Sequence, residues 1–369
     1  MLSNGKISIQ QLAVLVILVT VGDSILILPS ITTNAAKQDA WLSGIIGIAG
    51  GLIVLAIALY ASSLKPEFTY VEFTRFLLGS WAGGAVSLLY LLYCLFNAAA
   101  LLREIGDFIT TEMIPETPER AVHFILILVL LYALVRGIEA VARAGEILLP
   151  WFGLFIVALI ILLLPQAKFV KLLPIMGDGV APVLRGAVYV ASYPFAELSS
   201  LLMILPYVKR GKHMRKDFML AALIGGICVV SVIFVSVVVL GSYITAHQVY
   251  PAYGLAKKIS IGHFLERLEA LLAIVWIIST FFKCTLFCYA FSWGTVQLFN
   301  LRSQRFLLIP FGLLLFGLAY CLSPNLTFYN ELLEHHWLFW DLTMMLAIPL
   351  LLVSVYFARR PRLRGSSSR

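Results

Sequence analysis

Three ionisable side chains of this 369-residue chain lie in the middle of long apolar stretches: Asp23, Glu197 and Lys283. On insertion scales a charge in such surroundings costs roughly 2.5–3.5 kcal/mol, so it points to function. Asp23 can receive a ligand ammonium, a proton or a cation, or it can cap the helix that begins beyond it, since Asp favours an N-cap. Glu197 follows Pro194 by three residues and can bind a ligand or proton, or hydrogen-bond neighbouring helices. Lys283 is too far from either end of its stretch to snorkel comfortably. Its ammonium needs a counter-charge, and Asp23 and Glu197 are the acids expected to face it; a structural ion pair and a functional one both satisfy that need.

Polar and aromatic neighbours extend the candidate site. Tyr93 and Asn97 are four apart and share a helical face, and Thr285 and Tyr289 repeat that spacing. Their hydroxyls and amide can orient a carboxylate or an amine while the rings select side-chain size. The alternative is interhelical packing with hydrogen bonds worth about 0.6 kcal/mol each. Two stretches are also interrupted, by Gly22-Asp23-Ser24 with Pro29 beyond, and by Ser192-Tyr193-Pro194-Phe195. Pro removes a backbone donor and Gly weakens a helix. In hydrocarbon the freed groups cost several kcal/mol each unless protein or a wet cavity satisfies them. Unwinding is therefore expected near Gly22–Ser24 and Tyr193–Phe195, as kinks or as a binding site. The candidate site is Gly22, Asp23, Ser24, Tyr93, Asn97, Tyr193, Phe195, Glu197, Thr285 and Tyr289, with Lys283 among them. Arg103 with Asp107, and Glu139 with Arg143, are i,i+4 pairs that support their own helices, with a gate as the alternative role for Arg103.

The elements that must position these residues follow from composition. The chain is 61% hydrophobic and only 12% charged, with a mean hydropathy of +0.97. A soluble domain carries roughly 25% charged residues. With half that, the chain cannot cover a globule with polar surface, and disorder is excluded for the same reason. The solvent is lipid, and apolar runs of about 20 residues span it. The five cysteines all lie inside apolar runs, and the six histidines lack metal-site spacing, so neither disulfides nor a metal is indicated. Neither G-x-S-x-G nor a phosphate-cradling G-x-x-x-x-G-K occurs, so no hydrolase, NTPase or cofactor is expected.

Ten apolar runs are read near 8–34, 41–61, 80–108, 121–136, 145–164, 183–206, 217–243, 264–292, 304–322 and 337–358. The first is too long for the apolar core of a signal peptide. With the N-terminus inside, 17 Lys and Arg fall on the cytoplasmic side against 9 outside, so both termini are expected to be cytoplasmic. The basic tail 359–369 is expected to rest on anionic headgroups, and nucleic acid is not an expected partner. The chain reads as one transmembrane domain of two five-span blocks, about 8–164 and 183–358. Each block opens on a broken span and carries, between its second and third spans, a segment begun by Pro and ended by Gly: Pro66 to Gly79, and Pro251 to Gly262. Five spans per block make the second inverted relative to the first. Breaks at matching places in inverted halves point to a transporter-type site at the midplane.

The order of motifs now resembles a family. Ile9-Gln10-Gln11-Leu12 opens span one and Asp39-Ala40-Trp41-Leu42-Ser43 opens span two. Phe68-Thr69 to Leu78-Gly79, Leu102-Arg103 to Asp107-Phe108-Ile109, and Gly137-Ile138-Glu139 to Arg143 follow. Leu173-Pro174 with Gly177 or Gly179, then Phe264 to Glu269 with Trp276 and Lys283, complete the set. Together these resemble the B subunits of bacterial spore-germination nutrient receptors, within the amino acid/polyamine/organocation transporter superfamily. The resemblance implies an all-α membrane protein of ten transmembrane helices in a 5+5 inverted repeat, LeuT-like, with spans one and six broken. It implies sensing of a small nutrient, often an amino acid, in the spore inner membrane, with a larger A-type subunit and a lipoprotein C-type subunit as partners. It places the site between spans one, three, six and eight. It also lets Lys283 stand where sodium-coupled relatives hold a cation. The superfamily's Gly-Ser-Gly-like break reads Gly22-Asp23-Ser24 here, an acid that repels a carboxylate or pairs with an amine. Two rival readings are an amino-acid or organic-cation secondary transporter, proton-coupled or sodium-independent, and a structural subunit whose breaks are kinks.

Overall fold

The computed structural model describes residues 6–209, 211, 213–257, 268–323 and 325–366. Among them the secondary structure is helical, apart from one isolated parallel bridge between Ile7 and Val208. The chain begins with α1 (Ile9–Val21) and α2 (Ser24–Ala36), followed by α3 (Ala40–Ser63), the short amphipathic α4 (Tyr70–Leu78), α5 (Ser80–Phe108), α6 (Glu119–Arg136) and α7 (Ile138–Leu163). Then come α8 (Val180–Ala196), α9 (Met214–Leu240), the short α10 (Ser242–His247) and α11 (Pro251–Lys257), α12 (Leu268–Leu298) and α13 (Arg305–Cys321). The last span, predicted over 337–358, begins earlier, as α14 (Leu326–Leu332), α15 (Leu338–Leu342) and α16 (Ile348–Ser366), joined by π-helical turns at Leu333–Trp337 and Thr343–Ala347.

Among the described residues six stretches are long and apolar enough to cross a bilayer, and α1 and α13 are shorter apolar helices. This is an integral membrane protein. Helices extend past the apolar runs where their ends are polar: α7 starts at Ile138 rather than near 145, and α16 continues through the expected tail to Ser366. Hydropathy detects only the part of a helix that lipid solvates. Residues 258–267, which hold the end of the second Pro-to-Gly segment and the Phe264–Arg267 motif, lie outside the described residues.

Why the helices begin where they do is local chemistry. Ser8 and Gln11 form a capping box at α1, as Thr69 and Glu72 do at α4, each pair satisfying two orphan N–H groups. Packing then sets the site: α1 lies against α9, α7 and α12, α3 against α8, and α5 against α12. Polar contacts near the ends join residues read on the same side. Lys37 pairs with Asp178 at 2.9 Å and Lys257 with Glu112 at 2.7 Å at the end read as outer. At the opposite end Gln11 donates to Glu146 at 3.1 Å, and Arg75 donates to the Gln297 and Leu298 carbonyls at 3.3 Å, closing the C-terminus of α12.

Candidate ligand site at the helix breaks

The interruption in span one lies where its residues place it. Helix α1 ends at Val21, the Gly22 N–H still donates to Leu18 O at 2.9 Å, and Gly22 then turns to φ +28°, ψ −128° before α2 starts at Ser24. Such a φ disfavours any side chain, and a Cβ here would also lie 2.6 Å from Lys283 Cδ and 3.0 Å from Val19 O. Gly22 is thus required twice, for the turn and for the close passage of the lysine stem. The backbone groups released by the turn are met from α12: Ser279 Oγ donates to Gly22 O at 3.2 Å and Trp276 Nε1 to Asp23 O at 3.4 Å.

The interruption in span six is displaced from its expected position. Tyr193, Pro194 and Phe195 remain α-helical, and at Glu197 the helix tightens to a 3₁₀ geometry that runs to Met203. Proline deletes one bond of the α-ladder, but the turn it sits in survives; the pitch changes three residues later, and the 3₁₀ geometry keeps the backbone paired. The span is broken in pitch rather than unwound, and Glu197 sits at the junction.

Lys283, fully buried, brings the two breaks together. Its Nζ contacts Asp23 Oδ1 on one side and Glu197 Oε2 on the other. Asp23 precedes α2 without capping it through its side chain, so its carboxylate is given over to the lysine. The space between the breaks is filled by a side chain of the protein itself. A cavity of about 150 Å³ lies further along α2, toward the end read as outer, bounded by Ile27, Ser30, Ile31 and residues 246–249. A larger open groove of about 670 Å³ lies at the other end, between α4 and the end of α12.

The remaining predicted residues divide. Ser24 sits beside the break with its hydroxyl buried and without a hydrogen-bond partner, ready for another group. Tyr93 and Asn97 share a face, but that face turns to the last span. The Tyr93 hydroxyl donates to Asp341 Oδ1 at 2.8 Å, and Asn97 accepts from Trp337 Nε1 at 3.2 Å. Tyr193 donates to the Leu333 carbonyl at 2.7 Å, in the first π-turn. Phe195 points the other way: its ring fills the space that side chains at Gly51 of α3 and Gly226 of α9 would need, so it is a packing wedge and not a wall of the site. Thr285 returns its hydroxyl to Phe281 O at 2.8 Å on its own helix, and Tyr289 is about one turn further along α12, toward Tyr207.

Two acids escaped the sequence reading. Asp341, on α15 between the π-turns, is fully buried and accepts from Tyr93 and, at 3.1 Å, from Ser192 Oγ. Glu104, 4% exposed on α5, accepts from the Tyr329 hydroxyl at 2.6 Å. Both carried the signal used for Asp23, an ionisable group inside an apolar run. Glu104 was overlooked behind the adjacent Arg103–Asp107 pair, and Asp341 because the last run was read as starting only four residues earlier.

Known proteins can now be set beside this geometry. A sequence profile of the spore permease family, described as spore germination protein, matches residues 6–327. Spore germination protein KB of Bacillus subtilis (strain 168) is 30% identical over 98% of this chain and 97% of its own length. Spore germination protein YndE of the same strain is 25% identical over 84% of this chain and 85% of its own. Among solved structures, Mhp1, a nucleobase-cation-symport-1 family transporter with bromovinylhydantoin bound, superposes with a TM-score of 0.67 at 13% identity. The match covers 97% of this chain and 80% of that one. MhsT in complex with L-phenylalanine gives 0.60 at 14% identity over 94% and 97%. At these identities the likeness concerns the fold, which is that of LeuT-like transporters.

Proposed function

We propose, from the premise that the chain belongs to the spore germination protein family, that it is the nutrient-sensing membrane subunit of a germination receptor. The observation that carries this reading is the buried Lys283, held by Asp23 at one break and Glu197 at the other. An ion pair that joins two interrupted spans is a latch. A small nutrient, an amino acid in the first instance, engages it in two ways: its ammonium competes with Lys283 for the acids, or its carboxylate competes with the acids for Lys283. Either exchange loosens one break from the other. To shift the equilibrium the ligand must favour the loosened arrangement over the latched one. The route in runs along α2 from the outer cavity past Ser24.

In this reading the ten spans form two inverted blocks, both termini are cytoplasmic, and the movement passes to A-type and lipoprotein C-type subunits in the spore inner membrane. No chemical conversion of the ligand is involved. The deciding experiment uses the protein in lipid nanodiscs, with thermal unfolding followed against a panel of the common L-amino acids. A stabilising amino acid whose effect disappears in Asp23→Asn, while spores carrying that variant lose the response to it, supports the sensor. Uptake of the same amino acid into proteoliposomes supports the transporter reading instead, which the fold of the solved neighbours favours. Cysteines placed at Glu67 and Glu116 should label from opposite sides of the membrane; labelling from one side overturns the topology.

A further inference from the structure

Glu104 stands in a different relation to its surroundings from the acids that hold Lys283. One carboxylate oxygen, Oε1, accepts from the Tyr329 hydroxyl at 2.6 Å, and that hydroxyl also lies 3.4 Å from Ala100 O. The other oxygen, Oε2, is enclosed and has no hydrogen-bond partner. Among the described residues no cation pairs with it. The neighbouring Arg103 is taken up by Asp107 at 2.9 Å, Glu119 at 3.2 Å and the Ser323 carbonyl at 3.3 Å. Lys283 is within electrostatic range of Glu104, but its ammonium already rests between Asp23 and Glu197. Asp341 has its own donors in Tyr93 and Ser192. The interior where α5, α8, α12 and the last span meet therefore holds four buried carboxyl groups and one ammonium.

A buried carboxylate without a counter-charge either takes a proton or waits for a cation. The Tyr329 phenol donates to Oε1 at 2.6 Å, so that oxygen acts as an acceptor and Oε2 is the atom left to take the proton or the cation. The oxygens placed beside this carboxyl are the Tyr329 phenol, on Oε1, and the Ala100 carbonyl, against that phenol. One uncompensated negative charge among oxygen atoms suits a single positive charge. We propose that Glu104 Oε2 is the receiving atom of a second site in this chain, one that takes a compact monovalent cation, either a free alkali or ammonium ion or the ammonium head of an organic amine.

This site is separate from the latch and does not depend on the sensor reading: amino acids can fail to bind while the cation binds, and the reverse. The test uses the full chain in nanodiscs, with equilibrium binding of radioactive rubidium at constant ionic strength maintained by choline chloride. Saturable binding is expected, lost in Glu104→Gln and weakened in Tyr329→Phe, with both variants checked for unchanged monodispersity and thermal unfolding. Displacement by potassium or sodium but not by methylammonium identifies a free inorganic ion; displacement by methylammonium and longer amines identifies an amine head. If neither rubidium nor methylammonium binds saturably, or if binding survives in Glu104→Gln, the proposal is wrong. An infrared band of a protonated carboxyl that Glu104→Gln removes also overturns it, since a proton then fills the position assigned to the cation. Should Glu104→Gln fail to fold, Tyr329→Phe alone decides, by weakened or unchanged rubidium binding.

Discussion

Two regions of the molecule bury charge, and they do so differently. At the end read as outer, Arg103 reaches three partners on three segments: Asp107 on its own helix, Glu119 at the start of α6, and the Ser323 carbonyl before α14. Helix α5 keeps its α-geometry through Arg103 and Asp107 and turns π-helical only from Ile109, and the Glu119 side chain remains 26% exposed, so water shares in the solvation of the group. At the centre Lys283 reaches two acids, each at a place where the helix stops or changes pitch, and the side chains are at most 6% exposed. A guanidinium with five donors in a fixed fork suits a permanent staple; an ammonium on a flexible stem suits a contact that is exchanged. Buried charge alone therefore does not set the proposed latch apart from a structural pair. What sets the proposed latch apart is buried charge that meets interrupted backbone.

The comparison is broken most decisively at the lysine. Lys283→Met leaves Asp23 and Glu197 facing each other without a counter-charge, and removing one member of such a group typically costs about 3–5 kcal/mol. The double replacements Lys283→Met with Glu197→Gln, or with Asp23→Asn, should recover much of that loss in unfolding experiments while leaving the nutrient response absent. Strictly additive losses in both doubles would show that the three side chains do not act as a unit. Next comes Gly22→Leu. A side chain at φ +28° is strained by about 1–3 kcal/mol and runs into the Lys283 stem as well. The expected result is a protein that inserts and folds with reduced stability but gives no ligand-dependent shift. A normal response would show that the close passage of Lys283 past the break has no functional role.

How much of this was legible in the sequence depends on what each feature needs to be seen. The all-helical membrane class follows from composition, and the break at Gly22–Ser24 from a local residue preference, so both are visible in one dimension. The Lys283 partners were legible because so few charges occupy apolar runs that the choice was nearly forced. The site walls were not. Tyr93 and Asn97 share a helical face as their spacing requires, but spacing cannot say which neighbour that face meets, and the neighbour is the last span with its two π-turns. Phe195 was misplaced for a similar reason. The α-helix continues past Pro194 instead of unwinding, and that rotates the ring toward the glycines of α3 and α9.

The outer network gives a smaller effect and sharpens the contrast. Arg103→Met removes a charge-assisted hydrogen bond to Asp107 and an ion pair with Glu119, and about 2 kcal/mol is expected for a bond of that kind. Adding Asp107→Asn should restore part of it. Nutrient response should persist at temperatures where the variant stays folded, since no break is involved. Loss of response at full stability would make Arg103 part of the signalling path and remove the distinction between staple and latch.

The smallest effect is expected where charge meets solvent. Lys257 on α11 donates to Glu112 at 2.7 Å, with the lysine side chain 51% exposed. The Glu112 hydrogen bond and charge raise the lysine pKa above its ordinary value, against a smaller opposing effect of burial. A lysine whose folded pKa is raised contributes stability that is fully present below its unfolded pKa and is lost as pH rises through the folded one, so the contribution is intact at neutral pH and fades only in alkaline solution. Exposed pairs of this type contribute about 0–1 kcal/mol and are screened by salt. Lys257→Met should therefore shift unfolding by less than any variant above, and the shift should shrink further at high ionic strength. The pair nevertheless joins α11 to the end of span three beside the expected outer entrance, and this gives the small number its interest. A salt-insensitive loss comparable to that of Arg103→Met would mean that the α11 contact is held as rigidly as the staple, and that the outer end has no loosely closed segment through which a nutrient could enter.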